Sequence, residues 1–251
     1  MEFSKTLTGQ VLQTLGWLLL IIITGLFIDS KFVAENIYSN AQWLNNIIVS
    51  FVFVYLYIKA NPRTKQQLFF ALIIGIIGEY IFSVGLGMYT YRLQNIPHYV
   101  PPGHAIVFVL VYYFSRKPQV KLNRKRIEQF CLLLIIPTSI YFLLLKNDVF
   151  GFICTLLIFY FLRKHPKERM FYLVMYCVVA IVEFVGTGLE CWKWPELAFN
   201  KFSFLPSANP PLGISLFYFG LDRGTLSIYK RKNKTVWNRF KSIQKTQKRI
   251  S

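Results

Sequence analysis

The chain has 251 residues, of which 54% are hydrophobic and only 16% charged, and its mean hydropathy is positive. A soluble domain of this size carries roughly a quarter charged residues, so the composition excludes an ordinary soluble fold. The formal net charge of +18 invites a nucleic-acid function, but the placement of the charges argues against it.

Apolar runs of about the 20 residues needed to cross a bilayer recur along the whole chain. They predict an all-α integral membrane protein of about eight helices, near residues 10–28, 42–60, 67–87, 102–116, 127–146, 148–163, 169–189 and 210–228. No run combines a basic start, a short apolar core and a small-residue cleavage site, so the first helix is expected to be retained. Of the 29 Lys and Arg, Lys31, Arg92, Lys146, Lys193 and Lys201 fall on one side of this pattern and all others on the opposite side. By the positive-inside rule both termini are cytoplasmic, in a plasma membrane of prokaryotic type. The basic tail Lys230–Arg249, with Trp237 and Phe240, is expected to be solvated or drawn to anionic lipid, and no nucleic-acid partner is expected. Asp222 beside Arg223 reads as a snorkelling pair at the cytoplasmic edge.

The chain repeats itself. Lys59-Ala-Asn-Pro62-Arg63-Thr-Lys65 recurs as Arg163-Lys-His-Pro166-Lys167-Glu-Arg169, and a glutamate follows each proline by the same count, Glu79 and Glu183. Gly85-Leu86-x-x-Tyr89-x-Tyr91 then matches Gly188-Leu189-x-x-Trp192-x-Trp194, with one residue lost between glutamate and glycine in the second copy. Both copies end in a double proline, Pro101-Pro102 and Pro210-Pro211. This gives two four-helix units, residues 1–116 and 117–229, followed by the tail 230–251. An even helix number per unit makes the repeats parallel, related by an axis along the membrane normal. The first two helices of each unit match poorly, the last two well.

Acids at membrane depth are costly and mark sites. Glu79 and Glu183, about 18–20 Å above the basic elbows by helix rise, are therefore candidate catalytic residues, and near a shared axis they would repel unless one were protonated or paired. His104 joins them as a candidate, because Pro102 and Pro211 suit first turns of helices and place His104 and Asn209 beside helix N-termini. Tyr89, Tyr91, Tyr99, Trp192, Trp194, Phe202 and Phe204 fit an interfacial belt and equally the mouth of an apolar cavity. Tyr89, Tyr91, Trp192, Trp194, Asn209 and His98 are the candidate substrate-binding residues. Glu190 reads as a partner for Lys193, and His165 as part of a basic elbow.

Several chemistries lack their residues. The three histidines have no metal-ligand spacing, no acid-rich pair holds a magnesium diphosphate, and neither a Gly-x-Ser-x-Gly elbow nor a phosphate-cradling glycine loop occurs. No metal or cofactor is expected. Cys131, Cys154, Cys177 and Cys191 form no redox or zinc motif and read as apolar fillers.

The order of an intramembrane Glu79, then Gly85-Leu-Gly87-Met-Tyr89-Thr-Tyr91, Pro97-x-x-Val-Pro101, and in the second copy Cys191-Trp192-Lys-Trp194 and Pro206-x-x-Asn209-Pro210, resembles the membrane-embedded carotenoid hydratases of the bacterioruberin and myxol pathways. Tyr-Val-Pro-Pro-Gly-His at 99–104 and Ser-Ala-Asn-Pro-Pro at 207–211 depart from that pattern. The resemblance covers about a quarter of the chain and implies a lyase acting on an isoprenoid in carotenoid biosynthesis. Acid-catalysed hydration of a double bond would then use Glu79 or Glu183 as proton donor, with the other acid and His104 positioning water. Two other classes fit the same residues: a proton-coupled small-molecule transporter, and a non-catalytic membrane assembly factor.

Overall fold

The computed structural model describes residues 6–235 and 238. The tail beyond these, with Trp237 and Phe240, and the side chain of Asp222 lie outside the described residues. The described chain is mostly helical, with helices in each of the eight apolar regions. They are α1 (Leu7–Ile28), α3 (Ala41–Lys59), α4 (Pro62–Gly85), α5 (Val100–Phe114), α7 (Arg124–Lys146), α8 (Val149–Lys164), α9 (Arg169–Gly188) and α10 (Ser215–Lys232). Two short helices, α2 (Lys31–Asn36) and α6 (Pro118–Leu122), complete the set. By length and composition five are long and apolar enough to cross a membrane: α1, α3, α4, α7 and α9. α5 is apolar but shorter.

Helix ends follow local chemistry. Asn61 caps α4 by accepting from the Thr64 amide at 3.0 Å, with Pro62 in the first turn. That satisfies one of the four amides a helix start leaves orphaned. Pro101 and Pro102 occupy the first turn of α5, as the sequence predicts. The second unit differs. α10 starts at Ser215 rather than near 210, so Pro211 is not in a helix and Asn209 is not beside the helix start. The cause is Asp148, which accepts from the Ala208 amide at 3.1 Å and the Leu212 amide at 2.8 Å, while Gly213 takes φ +74. Both hold the segment in a turn; the positive φ is one that glycine adopts freely.

The residue that the second copy lacks is absorbed in α4. Residues Tyr80–Gly85 wind as a π-turn, with the Leu86 amide reaching back to the Ile81 carbonyl at 2.8 Å. One inserted residue in a helix is accommodated in this way. The aromatic pair beyond Glu79 thus keeps the placement seen beyond Glu183.

The two units join at a two-stranded antiparallel ribbon of β1 (Thr90–Tyr91) and β2 (Trp192–Lys193), with Tyr91 opposite Trp192. Below it lies an apolar cluster including Met88, Tyr99 and Trp194, and a larger core surrounds Phe108, Leu173 and Tyr172. Many large apolar side chains face outward, among them Phe51, Leu133 and Leu144 at about 70% exposure. Contiguous apolar exterior of that extent needs an apolar surrounding, which a bilayer supplies.

Candidate active site

The ribbon brings the aromatic pairs back over the glutamates of their own units. Glu79, 3% exposed in the wall formed by α4, accepts on Oε2 from the Tyr91 hydroxyl at 2.7 Å and the Tyr89 hydroxyl at 3.0 Å. Its Oε1 lies 2.7 Å from His104 Nε2. The other imidazole nitrogen, Nδ1, lies 2.6 Å from the Tyr218 hydroxyl of α10. Burial and the neighbouring Glu79 raise the pKa of Tyr89 and Tyr91 above that of an ordinary phenol, so both stay as donors to the carboxyl.

Glu183 of α9 has the matching arrangement with different chemistry. Its Oε2 accepts from the indole N–H groups of Trp192 and Trp194, both at 2.9 Å. The close fit of Trp192 depends on Gly186, one turn beyond Glu183, where a Cβ would run into the indole ring. Tyr89 packs on Trp194 across the unit boundary with ring centroids 4.8 Å apart.

These groups line a cavity of about 630 Å³ whose remaining walls are mostly apolar, including Leu18, Ile22, Phe82 and Phe217, with Asn45 among them. Its size is that of a ligand pocket, and its few polar groups converge on one region. Gly103 and Gly220 also line it, and a Cβ on either would meet nothing within 4 Å. A second, polar hollow of about 1300 Å³ lies beyond the ribbon, sharing Tyr91 and Trp192 with the cavity.

Of the candidate residues, the structure gathers Glu79, Glu183, His104, Tyr89, Tyr91, Trp192 and Trp194 around the cavity. The four aromatics point inward onto the acids rather than forming a belt, whereas Phe202 and Phe204 are exposed as a belt requires. His104 is bound to Glu79 and not set between the two acids. Asn209 accepts from the Trp194 amide at 2.9 Å, which fixes the loop, and it lines the polar hollow. His98 lines that hollow too and stacks on Trp43 with centroids 5.7 Å apart. Neither His98 nor Asn209 reaches the apolar cavity. Glu190 pairs with Lys31 at 3.0 Å instead of Lys193, because the ribbon places Lys193 opposite Thr90. His165 contacts Arg223 at 2.8 Å, away from the site.

Three groups escape the sequence pattern. Tyr218 sits in the unit opposite Glu79. Asp29, fully buried, accepts from Arg92 at 2.8 Å and from the Tyr99 hydroxyl at 2.7 Å. Asp148 holds the corresponding loop of the second unit through backbone amides, and also accepts from the Gly151 amide at 3.1 Å. Burial raises its pKa, against the opposing effect of those amides. Each unit thus ties the segment before its last helix to a buried aspartate in its first turn. Asking where each acid of an acid-poor apolar chain goes was the available signal.

No family model, no curated protein and no solved structure matches the chain.

Proposed function

We propose that the chain is a multi-pass membrane enzyme that adds water across a double bond of an apolar isoprenoid or related unsaturated lipid. Eight helices cross the membrane as two parallel four-helix repeats, with both termini in the cytoplasm of a prokaryotic cell. The ligand enters the cavity from the bilayer, and membrane lipid is the surrounding partner. The observation that carries this reading is a buried carboxyl, Glu79, wired to an imidazole in the wall of an otherwise apolar cavity. A largely apolar site of that volume selects an apolar ligand, and most of its polar groups exchange protons or donate hydrogen bonds. A group that gives and takes a proton in a largely apolar site suits general acid catalysis.

In the reaction, a proton adds to one carbon of the double bond and the electron pair of that bond forms the new C–H bond. Positive charge develops on the neighbouring carbon, where the aromatic faces of Tyr89 and Trp194 and the Glu183 carboxyl stabilise it. A water oxygen closes the second bond and loses a proton, which restores the acid. Atoms and electrons balance without a redox partner or metal.

The test is lipid extraction and mass spectrometry of the purified protein, wild type beside Glu79→Gln and Glu183→Gln. A specific unsaturated lipid in the variants and its hydrated form in the wild type is the expected result. The same lipid in all three, unchanged, rules the hydration out. A proton gradient-dependent flux in liposomes, without product, would point to a carrier instead.

A further inference from the structure

The hydrogen bonds of Glu79 restrict where its proton can go. A carboxyl oxygen accepts along about two directions, and Oε2 already receives two phenol hydroxyls, at 2.7 and 3.0 Å. A proton on Glu79 therefore resides on Oε1, aimed at His104 Nε2, 2.7 Å away. It does not face the cavity. Imidazole is built to pass such a proton on, since taking one at Nε2 lets it release another at Nδ1. Nδ1 has one partner in place, the Tyr218 hydroxyl at 2.6 Å. Tyr218 lines the cavity and stands edge-on to His104, with the ring planes at 85°.

We infer that Tyr218 is the residue that hands the proton to the ligand, as the end of a wire running from Glu79 through His104. This deepens, and rests on, the reading of Glu79 as the acid. Glu79 Oε1–H gives its proton to Nε2, Nδ1–H gives its proton to the Tyr218 oxygen, and the Tyr218 hydroxyl proton goes to the ligand carbon. Afterwards Glu79 is a carboxylate, His104 is protonated on Nε2, and Tyr218 again carries one proton, donated to Nδ1. The proton lost by the attacking water retraces the same path. His104 stays neutral at both ends of the cycle and changes only its tautomer. In this role Tyr218 is catalytic, His104 a relay and Glu79 the proton reservoir.

The wire has a readout that needs no ligand. Nitrogen NMR of protein labelled with ¹⁵N-histidine, with His104 assigned by its loss in His104→Gln, reports which ring nitrogen carries the proton. The expected result on lowering the pH is a move of the proton from Nε2 to Nδ1, and loss of that move in Tyr218→Phe and in Glu79→Gln. Glu183 is the other acid lining this cavity, so Glu183→Gln is measured alongside and should keep the move. Protons on both nitrogens throughout, or an unchanged titration in Tyr218→Phe, overturns the wire.

Tyr218→Phe keeps the ring against His104, so the cavity wall is retained. In the lipid comparison it should still carry the unsaturated lipid, with product reduced roughly a hundred- to ten-thousand-fold, the range for loss of a general acid. Tyr89→Phe and Tyr91→Phe keep their aromatic faces and lose only hydroxyls bound to Glu79 Oε2, so each should lose less product than Tyr218→Phe. Product retained in Tyr218→Phe but lost in either of those reverses the assignment of the exit. A tautomer move in a protein that forms no product would uphold the wire and remove hydration alone.

Discussion

The two units hold their glutamates in the same place and surround them with different chemistry. Glu79 has two phenols and an imidazole, all able to give and to take a proton. The partners of Glu183 on Oε2 are two indoles, which only donate. The two acids thus differ: Glu79 is bonded to groups able to carry a proton, and Glu183 is held by fixed dipoles facing the same cavity. The buried aspartates show a parallel difference. Asp29 is tied through a charge, Arg92, and Asp148 through backbone amides.

This comparison can be broken at several points. The largest effect of a single substitution on stability is expected from Asp29→Ala, which leaves the largely buried Arg92 without its counter-charge and should cost about 3–5 kcal/mol. Asp148→Ala leaves amides rather than a charge unpaired; water can reach the loop in their place, and a total of about 1–3 kcal/mol is expected. Thermal unfolding in detergent separates the two, and equal losses would remove the distinction between the ties. The aromatic pairs come next. Trp192→Phe/Trp194→Phe should destabilise more than Tyr89→Phe/Tyr91→Phe, because both lose two hydrogen bonds of about 1.5–3 kcal/mol each to the carboxyl but only the indole exchange also opens space. A larger loss from the phenol pair would contradict that.

Gly186→Ala sharpens the same contrast on a smaller scale. It drives a methyl into Trp192, and overpacking of this kind costs about 1–3 kcal/mol. Gly188→Ala, whose Cβ meets nothing within 4 Å, should be harmless by the same melt. The smallest effect on stability belongs to Gly103→Leu and Gly220→Leu. Their side chains enter the cavity, and removing a helical glycine favours the fold by about 0.5–1 kcal/mol. The stability of these variants should hold or rise while bound lipid, measured by extraction, disappears. Unchanged lipid content would place the ligand elsewhere.

Much of the site was legible in the sequence because the repeat supplied a second copy to compare. Glu79, Glu183 and the aromatic pairs stand at matching offsets, and the one-residue discrepancy between copies was visible before the π-turn that explains it. His104 followed from the prolines that start α5. Tyr218 was not legible, since it meets His104 from 114 residues away along the chain and its apolar neighbours in α10 give no hint of a partner. The aspartate ties were hidden because the first helices of each unit match poorly, and because backbone amides, the partners of Asp148, leave no mark in a sequence. Pro211 misled for the same reason: a proline suits a helix start, but Asp148 holds its neighbours in a turn.

The most direct test of the central claim is incorporation of deuterium into the lipid carried by the purified protein. Wild type, Glu79→Gln and Tyr218→Phe are each supplied with the unsaturated lipid extracted from Glu79→Gln, incubated in D₂O, and the lipid is weighed by mass spectrometry. The account predicts that lipid from the wild type gains the mass of one D₂O, with deuterium retained on carbon after back-exchange into H₂O, and that lipid from the two variants gains none. Carbon-bound deuterium appearing equally in all three, or in none of them while a specific unsaturated lipid is bound, would contradict it.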